Sequence, residues 1–413
     1  MRAADLHTIN DLGISSQELM RRAGTAIADE VAAVADKNSE ILVVCGSGNN
    51  GGDGYVCAAE LLRRGYNAKV YACGGRLSED CRREKEQFSG TYARTIAGDV
   101  IVDCIFGTGL CREVAGEYAD IINAINASGA YVISADIPSG LSSDSGQILG
   151  TAVRADKTVA IAELKAGFAL ASGFDCCGAV VVKDIGICPD EGGYAAVYDD
   201  SDIAKFYPAR PRNSHKGTFG TATLVCGSAQ YVGSAVLAVS AALKSGCGYV
   251  KAVCADEVKA AIAPNFPQTV FSVQPDLSSR AIAIGMGCGA SQALHDAIDY
   301  LLKEYSGTLI IDADGLNSLA MYGTDILKDK KCNVILTPHI KEFSRISGKT
   351  AGEVLAAPVA CAQQLAREYA ATIVLKGAGT VITDGRNIVI NTRGCPALAK
   401  AGSGDMLAGY MCG

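Results

Sequence analysis

Hydrophobic and polar positions follow a strand–helix rhythm along the chain. Short apolar runs, of the kind that is buried on both faces of a sheet, occur first at 41–45, 68–73, 99–106 and 131–138. Stretches with helical spacing of apolar residues separate these runs, and residues 1–30 are predicted to form one helix. The order strand, loop, helix, strand predicts an α/β fold with a parallel sheet.

The same rhythm returns in the second half of the chain. Residues 189–213 gather proline, glycine and charge in PDEGGY and FYPARPRN, which is typical of a boundary between domains. A second series of apolar runs follows at 221–227, 248–255, 281–287, 308–314, 333–339 and 371–377. We therefore predict two α/β domains, residues 1–200 and residues 210–413.

Length and composition fit this interpretation. The chain has 413 residues, of which 49% are hydrophobic and 20% charged, so it can bury two cores and is unlike a disordered chain or a coiled coil. The net charge of −7 weighs against nucleic acid as a partner, although a local basic pocket could still hold a phosphorylated small molecule. No apolar run reaches 18 residues and no signal peptide is visible, which predicts a cytoplasmic protein with no membrane partner.

Of the 17 cysteines, Cys176 and Cys177 are adjacent and the others are scattered singly, mostly through apolar runs, with no C-x-x-C pair. This layout is typical neither of a disulfide framework nor of a zinc site. We interpret them as buried free thiols in a reducing compartment. Cys104, Cys111, Cys226 and Cys288 lie in or beside the segments discussed below, but no catalytic step that we propose needs a thiol.

A glycine-rich segment, GSGNNGGDG at 46–54, lies between a predicted strand and a helix that is predicted to begin near residue 53. It is not a P-loop, because no Lys-Ser or Lys-Thr pair follows it, and it lacks the usual dinucleotide setting of G-x-G-x-x-G. Glycines let backbone N–H groups approach a phosphate, and a helix N-terminus adds positive potential. The segment is therefore predicted to bind an anion.

This segment and three others, in order, resemble the N-terminal domain of the NAD(P)H-hydrate epimerases, the YjeF N-terminal family. The others are MRAAD…GISSQELMRRAG at the start, VDCIFGTGL at 102–110 and ADIPSGLSSDSG at 135–146. The resemblance covers residue 1 to about residue 190 and implies a Rossmann-like domain with three αβα layers. It also implies an activity, the epimerisation of NADHX and NADPHX, which are the hydrates of NADH and NADPH.

The resemblance assigns roles to single residues of this domain. It implies that Asn50, Asp103 and Ser139 hold a potassium ion, and their oxygen atoms suit a hard cation. Taken alone, Asp103 could equally be a strand-end carboxylate that caps a loop. The residues that it implies for binding the hydrate are Asn49, Asn50, Gly51, Gly52, Asp53, Gly107, Thr108, Gly109, Leu110, Cys111, Arg112, Glu113 and Asp136.

Epimerisation at the hydrated carbon needs an acid–base group, because hydroxide must leave next to the ring nitrogen and return on the other face. We expect Asp136 to supply it, since this residue ends a strand, where open α/β sheets place their ligands. Lys165 of ELKAG is expected to be the second catalytic member. The family usually has Lys-Pro-Gly there, so Ala166 leaves the turn looser.

Five segments of the second half resemble the ADP/ATP-dependent NAD(P)H-hydrate dehydratases, which have a ribokinase-like fold. They are the stretch 215–253, DADGLNSL at 312–319, LTPHIKEF at 336–343, LKGAGTVI at 375–382 and AGSGD at 401–405. In GSGD, glycines at a helix N-terminus form an anion hole, and Asp405 at its mouth can take a proton from a hydroxyl. The resemblance implies that the hydrate's hydroxyl is phosphorylated and that phosphate is then eliminated.

The co-substrate implied by this resemblance is ADP or ATP, with Mg²⁺ for phosphoryl transfer. The fused two-domain form resembles bacterial and archaeal members, which points to ADP. Ser234 stands where the family commonly has Ala and Gly315 where DADAL is usual, and neither change removes a chemical group. The implied nucleotide-binding residues are Lys376, Gly377, Ala378, Gly379, Thr380 and Gly404, and those facing the hydrate are Ser234, Gly287, His339 and Asp405.

The chain stops at GYMCG, shortly after Asp405, whereas ribokinase-like domains continue for two or more helices, so we expect an incomplete second domain. Two other interpretations stay open. The chain could be a nucleotide-binding module without catalysis, or its second half could be a kinase of another small molecule. The presence of Asp136, Asp405 and both glycine segments favours the repair enzyme. Family members often assemble, which implies a homo-oligomer.

Overall fold

The chain divides into two units, Met1–Gly192 and Gly193–Gly413, each built on its own sheet. The computed structural model describes residues 2–188, 195–207 and 209–413. The PDEGGY segment and the first proline of FYPARPRN, Pro208, were assigned to the boundary and lie outside the described residues. No helix of the described ranges is long and apolar enough to cross a membrane.

The first unit alternates strands and helices as its apolar runs predict. Its helices are α1 (Arg2–Asn10), α2 (Ser16–Ala32), α3 (Asn49–Arg63), α4 (Glu79–Gln87), α5 (Glu117–Ala127) and α6 (Gly173–Cys176), with a 3₁₀ turn at Ala166–Ala169. Its strands are β1 (Glu40–Cys45), β2 (Asn67–Ala72), β3 (Thr91–Tyr92), β4 (Val100–Cys104), β5 (Tyr131–Ala135), β6 (Lys157–Ile161) and β7 (Ala179–Lys183).

The seven strands form a parallel sheet in the order β3-β2-β1-β4-β5-β6-β7. Alternate residues of β1 point to two different cores. Val43 and Cys45 pack with residues of α2 and α3, whereas Leu42 and Val44 pack with residues of α5. Helices therefore cover both faces, which confirms the predicted three-layer α/β fold.

The strand order reverses between β1 and β4. In open α/β sheets, ligands bind in the crevice beyond the carboxyl ends of the strands at such a reversal. The glycine-rich segment 46–54 follows β1 and the segment 105–113 follows β4. The topology thus brings together two of the segments that the sequence analysis assigned to the hydrate.

Two predicted element boundaries are wrong. Residues 1–30 form two helices, because the chain reverses at Gly13, whose φ is 75°, and a new helix begins after Ser15, whose side chain accepts from the N–H of Glu18. Helix α3 begins at Asn49 instead of near residue 53, because the extended Gly48 serves as its N-cap. The NNGGD sequence is therefore the first turn of a helix and not a loop.

The second unit repeats the strand and helix alternation. Its helices are α7 (Asp200–Phe206), α8 (Val232–Ser245), α9 (Asp256–Asn265), α10 (Gln292–Glu304), α11 (Asp314–Tyr322), α12 (Ile340–Ser347), α13 (Ala351–Ala356), α14 (Pro358–Tyr369) and α15 (Ser403–Cys412), with 3₁₀ turns at Lys216–Phe219, Asp325–Lys328 and Pro396–Leu398. Its strands are β8 (Ala195–Ala196), β9 (Thr221–Val225), β10 (Tyr249–Val253), β11 (Val270–Phe271), β12 (Ala281–Ile284), β13 (Thr308–Ile311), β14 (Asn333–Leu336), β15 (Thr372–Leu375), β16 (Thr380–Thr383) and β17 (Ile388–Asn391).

This sheet has the order β11-β10-β9-β12-β13-β14-β15-β16-β17-β8. The strands from β11 to β15 are parallel, whereas β15, β16 and β17 pair antiparallel, an addition that the apolar runs did not predict. Strand β8 pairs with β17, so residues 195–196 join the second sheet although the predicted first domain extended to residue 200. The order reverses between β9 and β12, which again marks a crevice.

All 17 cysteines lie in the described ranges and are free thiols. Eleven are buried and three are partly buried, as their apolar surroundings predict. Burial raises the pKa of the Cys73 thiol to about 12 and that of Cys81 to about 11, so both stay protonated. The exposed ones are Cys111, Cys188 and Cys395.

Candidate functional site

A cavity of about 610 Å³ opens at the strand-order reversal of the first unit. Its volume falls in the range typical of pockets for small molecules and cofactors. Most of the residues assigned to the hydrate line it, namely Asn49, Asn50, Asp53, Gly107, Thr108, Gly109, Leu110, Cys111, Arg112 and Asp136. The structure therefore brings together side chains from three separate segments of the sequence.

Gly51, Gly52 and Glu113 are not among the residues lining this cavity. Gly51 and Gly52 lie inside the first turn of α3 and are buried. A Cβ atom on Gly51 would lie 2.0 Å from the carbonyl oxygen of Gly46, and one on Gly52 would lie 2.5 Å from the sulfur of Met20. These glycines are required because the helix packs closely against its surroundings. Glu113 lines a smaller neighbouring cavity of about 280 Å³, which shares Phe106, Leu110 and Arg112.

Asp136 and Lys165 form an ion pair at the carboxyl end of β5. The Lys165 side chain is buried and also donates to the carbonyl oxygen of Ile161 at 2.8 Å. The backbone of Asp136 has a φ of 64°, a left-handed conformation that Asp tolerates better than most residues and that is common at functional sites. Its Oδ2 lies 3.3 Å from the Cβ position of Gly107, which places it at the cavity wall. The two residues predicted to act together are therefore in contact.

Asp103, at the end of β4, is fully buried and accepts four hydrogen bonds. They come from Ser134 Oγ at 2.8 Å, from Ser139 N at 2.8 Å and Oγ at 2.6 Å, and from Ile105 N at 3.2 Å. Burial nevertheless raises the pKa of Asp103 above its ordinary value, against the effect of these donors. The carboxylate therefore organises this loop, and a positive charge beside it would favour its ionised form.

Asn50 is buried in the first turn of α3, and neither its amide oxygen nor its amide nitrogen has a hydrogen-bond partner within the described residues. Buried polar atoms of this kind usually have a partner. Its side chain lies against Gly107, about 3.5 Å from that residue's Cβ position. A free amide oxygen and a buried carboxylate at neighbouring loops fit the oxygen donors that a potassium ion takes.

Two further carboxyl groups line the same cavity. Asp53 lies in α3, and burial, with the like charges of Asp136, Asp5 and Glu84, raises its pKa well above the ordinary value. Asp5 lies in the first turn of α1, and burial also raises its pKa. The sequence analysis missed Asp5. Its one signal is the helical spacing from Asp5 to Ile9, which places both residues on the face that lines the cavity.

In the second unit, Lys376 at the end of β15 is held by two acidic groups, Asp312 after β13 and Glu342 in α12. Its Nζ lies 2.7 Å from Asp312 Oδ1 and 3.8 Å from Glu342 Oε2. Asp312 is buried and also accepts from Thr337 Oγ1 at 2.7 Å. These three residues were quoted in motifs but not assigned a role. The signal for Asp312 and Thr337 is a polar residue directly after an apolar strand.

His339 is the N-cap of α12. Its Nδ1 accepts from the N–H groups of Lys341 and Glu342 at 3.1 and 3.2 Å, and Glu342 Oε2 accepts from the His339 N–H at 2.8 Å. This reciprocal capping explains the TPHxxE segment in structural terms. The His339 Nε2 atom lies 3.4 Å from Glu342 Oε1. The ring is nevertheless about half exposed, so this edge stays accessible to a ligand.

The glycine segment 402–404 starts α15. Gly402 is the N-cap with a φ of 90°, a conformation that favours glycine. A Cβ atom on Gly404 would lie 3.5 Å from Lys376 Nζ and 3.7 Å from Asp312 Oδ2, so the helix N-terminus faces this ion pair. Open N–H groups and a lysine at one point are an arrangement that binds phosphate.

Asp405 lies in the first turn of α15, next to Gly404. Burial raises the pKa of Asp405, and the charge of Asp312 raises it further. A hydrogen bond with Ser234 and the charge of Lys376 lower it. Gly287 approaches Ser234 so closely that a Cβ atom there would lie 3.0 Å from Ser234 Oγ. The predicted hydrate-facing residues Ser234, Gly287 and Asp405 are thus neighbours.

The remaining predicted nucleotide-binding residues, 377–380, form the turn between β15 and β16. Thr380 Oγ1 donates to the Gly377 carbonyl oxygen at 3.1 Å, and Gly379 has a φ of 75°. The turn begins at Lys376, whose N–H donates to the carbonyl oxygen of Pro338 at 2.8 Å. This places the turn beside the His339 segment. Within the described residues, no group of three or more His, Cys, Asp or Glu side chains is arranged to hold a metal ion.

Comparison with protein families gives one match in each unit. Residues 16–167 match the family described as YjeF-related protein N-terminus, and residues 222–413 match the family described as NAD(P)H-hydrate dehydratase. Together, the two matched ranges contain every residue that was predicted from the sequence to bind a ligand or to act in catalysis.

Proteins that resemble this chain align with nearly its whole length. The bifunctional NAD(P)H-hydrate repair enzyme Nnr of Thermofilum pendens is 34% identical over 99% of this chain and 85% of its own length. The protein of the same description from Coxiella burnetii is 32% identical over 97% of this chain and 86% of its length. Among solved structures, the ADP/ATP-dependent NAD(P)H-hydrate dehydratase from Bacillus subtilis, co-crystallized with ATP/Mg²⁺, is 31% identical, with a TM-score of 0.48 over 53% of this chain and 82% of its own.

Proposed function

The chain belongs to the family of bifunctional NAD(P)H-hydrate repair enzymes, and we propose that each of its two units carries one of the family's two activities. The first unit epimerises NADHX and NADPHX, and the second dehydrates one epimer to NADH or NADPH at the expense of a nucleotide. One observation carries the proposal. In both units, a carboxyl group expected to be reactive lies beside a lysine at the carboxyl ends of parallel strands, where such folds bind their ligands.

In the first unit, the ring nitrogen of the hydrate can supply electrons as the neighbouring C–O bond breaks. The leaving and returning oxygen exchange protons with a group at the cavity wall, and Asp136 is the one that we assign. Lys165 pairs with that carboxyl and fixes its orientation, because it is buried and contacts Asp136 directly. The backbone N–H groups at the start of α3 would bind the phosphates.

A potassium ion belongs to this proposal. Asn50 would provide its unpartnered amide oxygen, and Asp103 and Ser139 would provide the neighbouring oxygens. When bound, the ion supplies positive charge at a fully buried carboxylate. With the ion bound, these three residues would hold the loops after β4 and β5 in place around the hydrate.

In the second unit, the N–H groups of the glycine segment 402–404 and Lys376 hold the phosphoryl group that is transferred, and Asp405 takes the proton of the hydrate's hydroxyl. Once the hydroxyl is a phosphate ester, phosphate leaves and a proton is lost from the ring, which restores the reduced nicotinamide. Mg²⁺ neutralises phosphate charge when it is bound. Asp312 and Glu342 already pair with Lys376, so the phosphates themselves would be the main ligands of this ion.

We propose ADP as the natural phosphoryl donor and the cytoplasm, where nicotinamide nucleotides are used, as the site of action. The test is to incubate the protein with NADHX, Mg²⁺ and either ADP or ATP and to follow the return of NADH absorbance at 340 nm. We expect recovery that requires a nucleotide and is faster with ADP. Recovery without a nucleotide would contradict the phosphorylation step.

The same assay separates the alternatives. A nucleotide-binding module without catalysis would bind ADP and leave NADHX unchanged. A kinase of another small molecule would hydrolyse or transfer phosphate only when that other acceptor is present. Complete conversion of a mixture of R and S hydrates, beyond the fraction of one epimer, additionally requires the epimerase, so the extent of recovery reports on the first unit and its rate on the second.

A further inference from the structure

The cavity of the first unit is lined by three aspartates, Asp5, Asp53 and Asp136, of which the proposed reaction uses only the last. The other charged side chain among its described lining residues is Arg112, and Lys165 lies behind Asp136. With three ionised carboxyls, this cavity would repel a substrate that carries phosphates. Protonation of one carboxyl would lessen this repulsion, and a neutral carboxyl is a proton donor.

The three carboxyls differ in their surroundings. Lys165 pairs with Asp136 by direct contact. Asp53 lies on α3, whose first turn is proposed to bind the phosphates, and burial together with Asp136, Asp5 and Glu84 raises its pKa well above the ordinary value. Asp5 lies on α1. Burial and the Asp136 charge raise its pKa, while the positive charge of Lys165 lowers it.

Position also distinguishes Asp5. It reaches the cavity from α1, whereas Asp136 reaches it from the end of β5, so the two carboxyls approach a bound ring from different elements. Ile9 of α1 and Leu19 and Met20 of α2 line the cavity too, so the wall on this side is largely apolar. Two carboxyls in different environments are the usual arrangement when one serves as acid and the other as base.

We propose that Asp5 is a second acid–base residue of the epimerase, which protonates the hydroxyl that leaves the hydrated ring. This inference rests on the proposed function of the first unit. The Asp5 proton moves to the hydroxyl oxygen as the C–O bond breaks, water departs, and the lone pair of the ring nitrogen forms a C=N bond. A water molecule then adds to the same carbon from the other face, and its proton goes to Asp136. Proton exchange with solvent restores both carboxyls.

The test compares Asp5→Asn with wild type in the conversion of purified R-NADHX to S-NADHX, separated by chromatography and corrected for the spontaneous rate. General acid–base groups contribute about 10²–10⁴-fold, so we expect the epimerisation rate to fall by at least ~100-fold. Asp5 acts in its protonated form, so the wild-type rate decreases as pH rises through its pKa. That alkaline decrease should disappear in Asp5→Asn, and Asp5→Glu should restore part of both the rate and the decrease.

Controls keep the result specific. Asp11→Asn removes an exposed carboxyl just beyond the end of α1 that contacts His7, and it should leave epimerisation unchanged. Thermal unfolding and the dehydration rate, measured on Asp5→Asn itself, show whether the protein is folded. A folded Asp5→Asn protein with the wild-type rate overturns the inference, and so does a slow variant that keeps the alkaline decrease. If wild type itself does not epimerise NADHX, the proposed function of the first unit fails instead.

Discussion

The two units each hold an aspartate–lysine pair at the carboxyl end of their sheet, but the buried partner is reversed. In the first unit, the Lys165 side chain is 3% exposed and Asp136 is 16% exposed. In the second, the Asp312 side chain is 2% exposed and Lys376 is 19% exposed. In each unit, the more accessible member is the one proposed to face the ligand, and the buried member contacts it from behind.

This reversal matches the chemistry proposed for each unit. Proton transfer at a ring needs a carboxyl group at the cavity wall, so the lysine is the supporting partner. Phosphoryl transfer needs a fixed positive charge near a helix N-terminus, so the aspartate is the supporting partner. The same pair of residue types serves two reactions because the fold decides which of them is buried.

The largest expected effect is on the second unit. Asp405→Asn removes the group that takes the hydroxyl proton, and we expect nucleotide-dependent NADH recovery to fall by about 10²–10⁴-fold. Epimerisation of R-NADHX by the same protein should be unchanged, because the first unit contains its own catalytic carboxyl. Equal loss of both activities, measured on a folded variant, would mean that the two sites are not independent.

The reciprocal change is Asp136→Asn in the first unit. We expect epimerisation to fall by a similar factor, about 10²–10⁴-fold, whereas dehydration of pure S-NADHX stays at the wild-type rate. With mixed epimers, NADH recovery should stop at the fraction contributed by the S epimer plus what the spontaneous reaction supplies. Wild-type epimerisation by this variant would remove Asp136 from the mechanism.

Replacing Lys165 or Lys376 should have a smaller effect on activity, and it compares the two ion pairs directly. Removing one partner of a buried ion pair costs about 3–5 kcal/mol, so Lys165→Met should lower the unfolding midpoint of the protein as well as the epimerisation rate. Lys376→Met leaves the buried Asp312 without its partner, so it should also lower the unfolding midpoint, and loss of the contact with phosphate should raise the KM for ADP in the dehydration assay. If the two variants show the same pattern, the reversed burial of the two pairs has no functional meaning.

The smallest effect concerns pH. Asp405 acts as a base in its ionised form, and burial raises its pKa above that of an exposed aspartate, about 3.9. As the pH is lowered, the dehydration rate should therefore begin to fall at a higher pH than it would if the base were an exposed aspartate. Ser234→Ala removes a hydrogen bond that lowers this pKa, so the decline should move to still higher pH. Ser240→Ala in the same helix is the matched control and should leave the profile unchanged.

Local patterns predicted much of the fold. The apolar runs identified most of the parallel strands because a strand buried on both faces must be apolar throughout, as 100–104 is apart from Asp103. They missed β3, β6, β7, β8, β11 and the β16–β17 hairpin, most of which are short or partly exposed and carry a weaker signal. The break at Gly13 was missed because helical spacing continues on either side of it.

The candidate site was predicted unevenly for the same reason. Motifs around Asp136 and Asp405 are contiguous in sequence, so their residue types could be recognised directly. Gly51 and Gly52 were assigned to the ligand because glycines near a helix N-terminus suggest phosphate binding, yet they face Gly46 and Met20. Asp5 was missed because a single aspartate in an amphipathic helix gives no sign of the cavity that encloses it.

The sequence by itself determined the order of strands and helices, the two-unit organisation and the chemical groups available at the strand ends, because these depend on residue type and short-range spacing. Only the tertiary structure decided which groups meet and which are buried. Asp136 contacts Lys165 across 29 positions, and Asp312 contacts Lys376 across 64 positions. Burial then raises the pKa of Asp5 and Asp405 through desolvation, and desolvation depends on packing that local sequence does not specify.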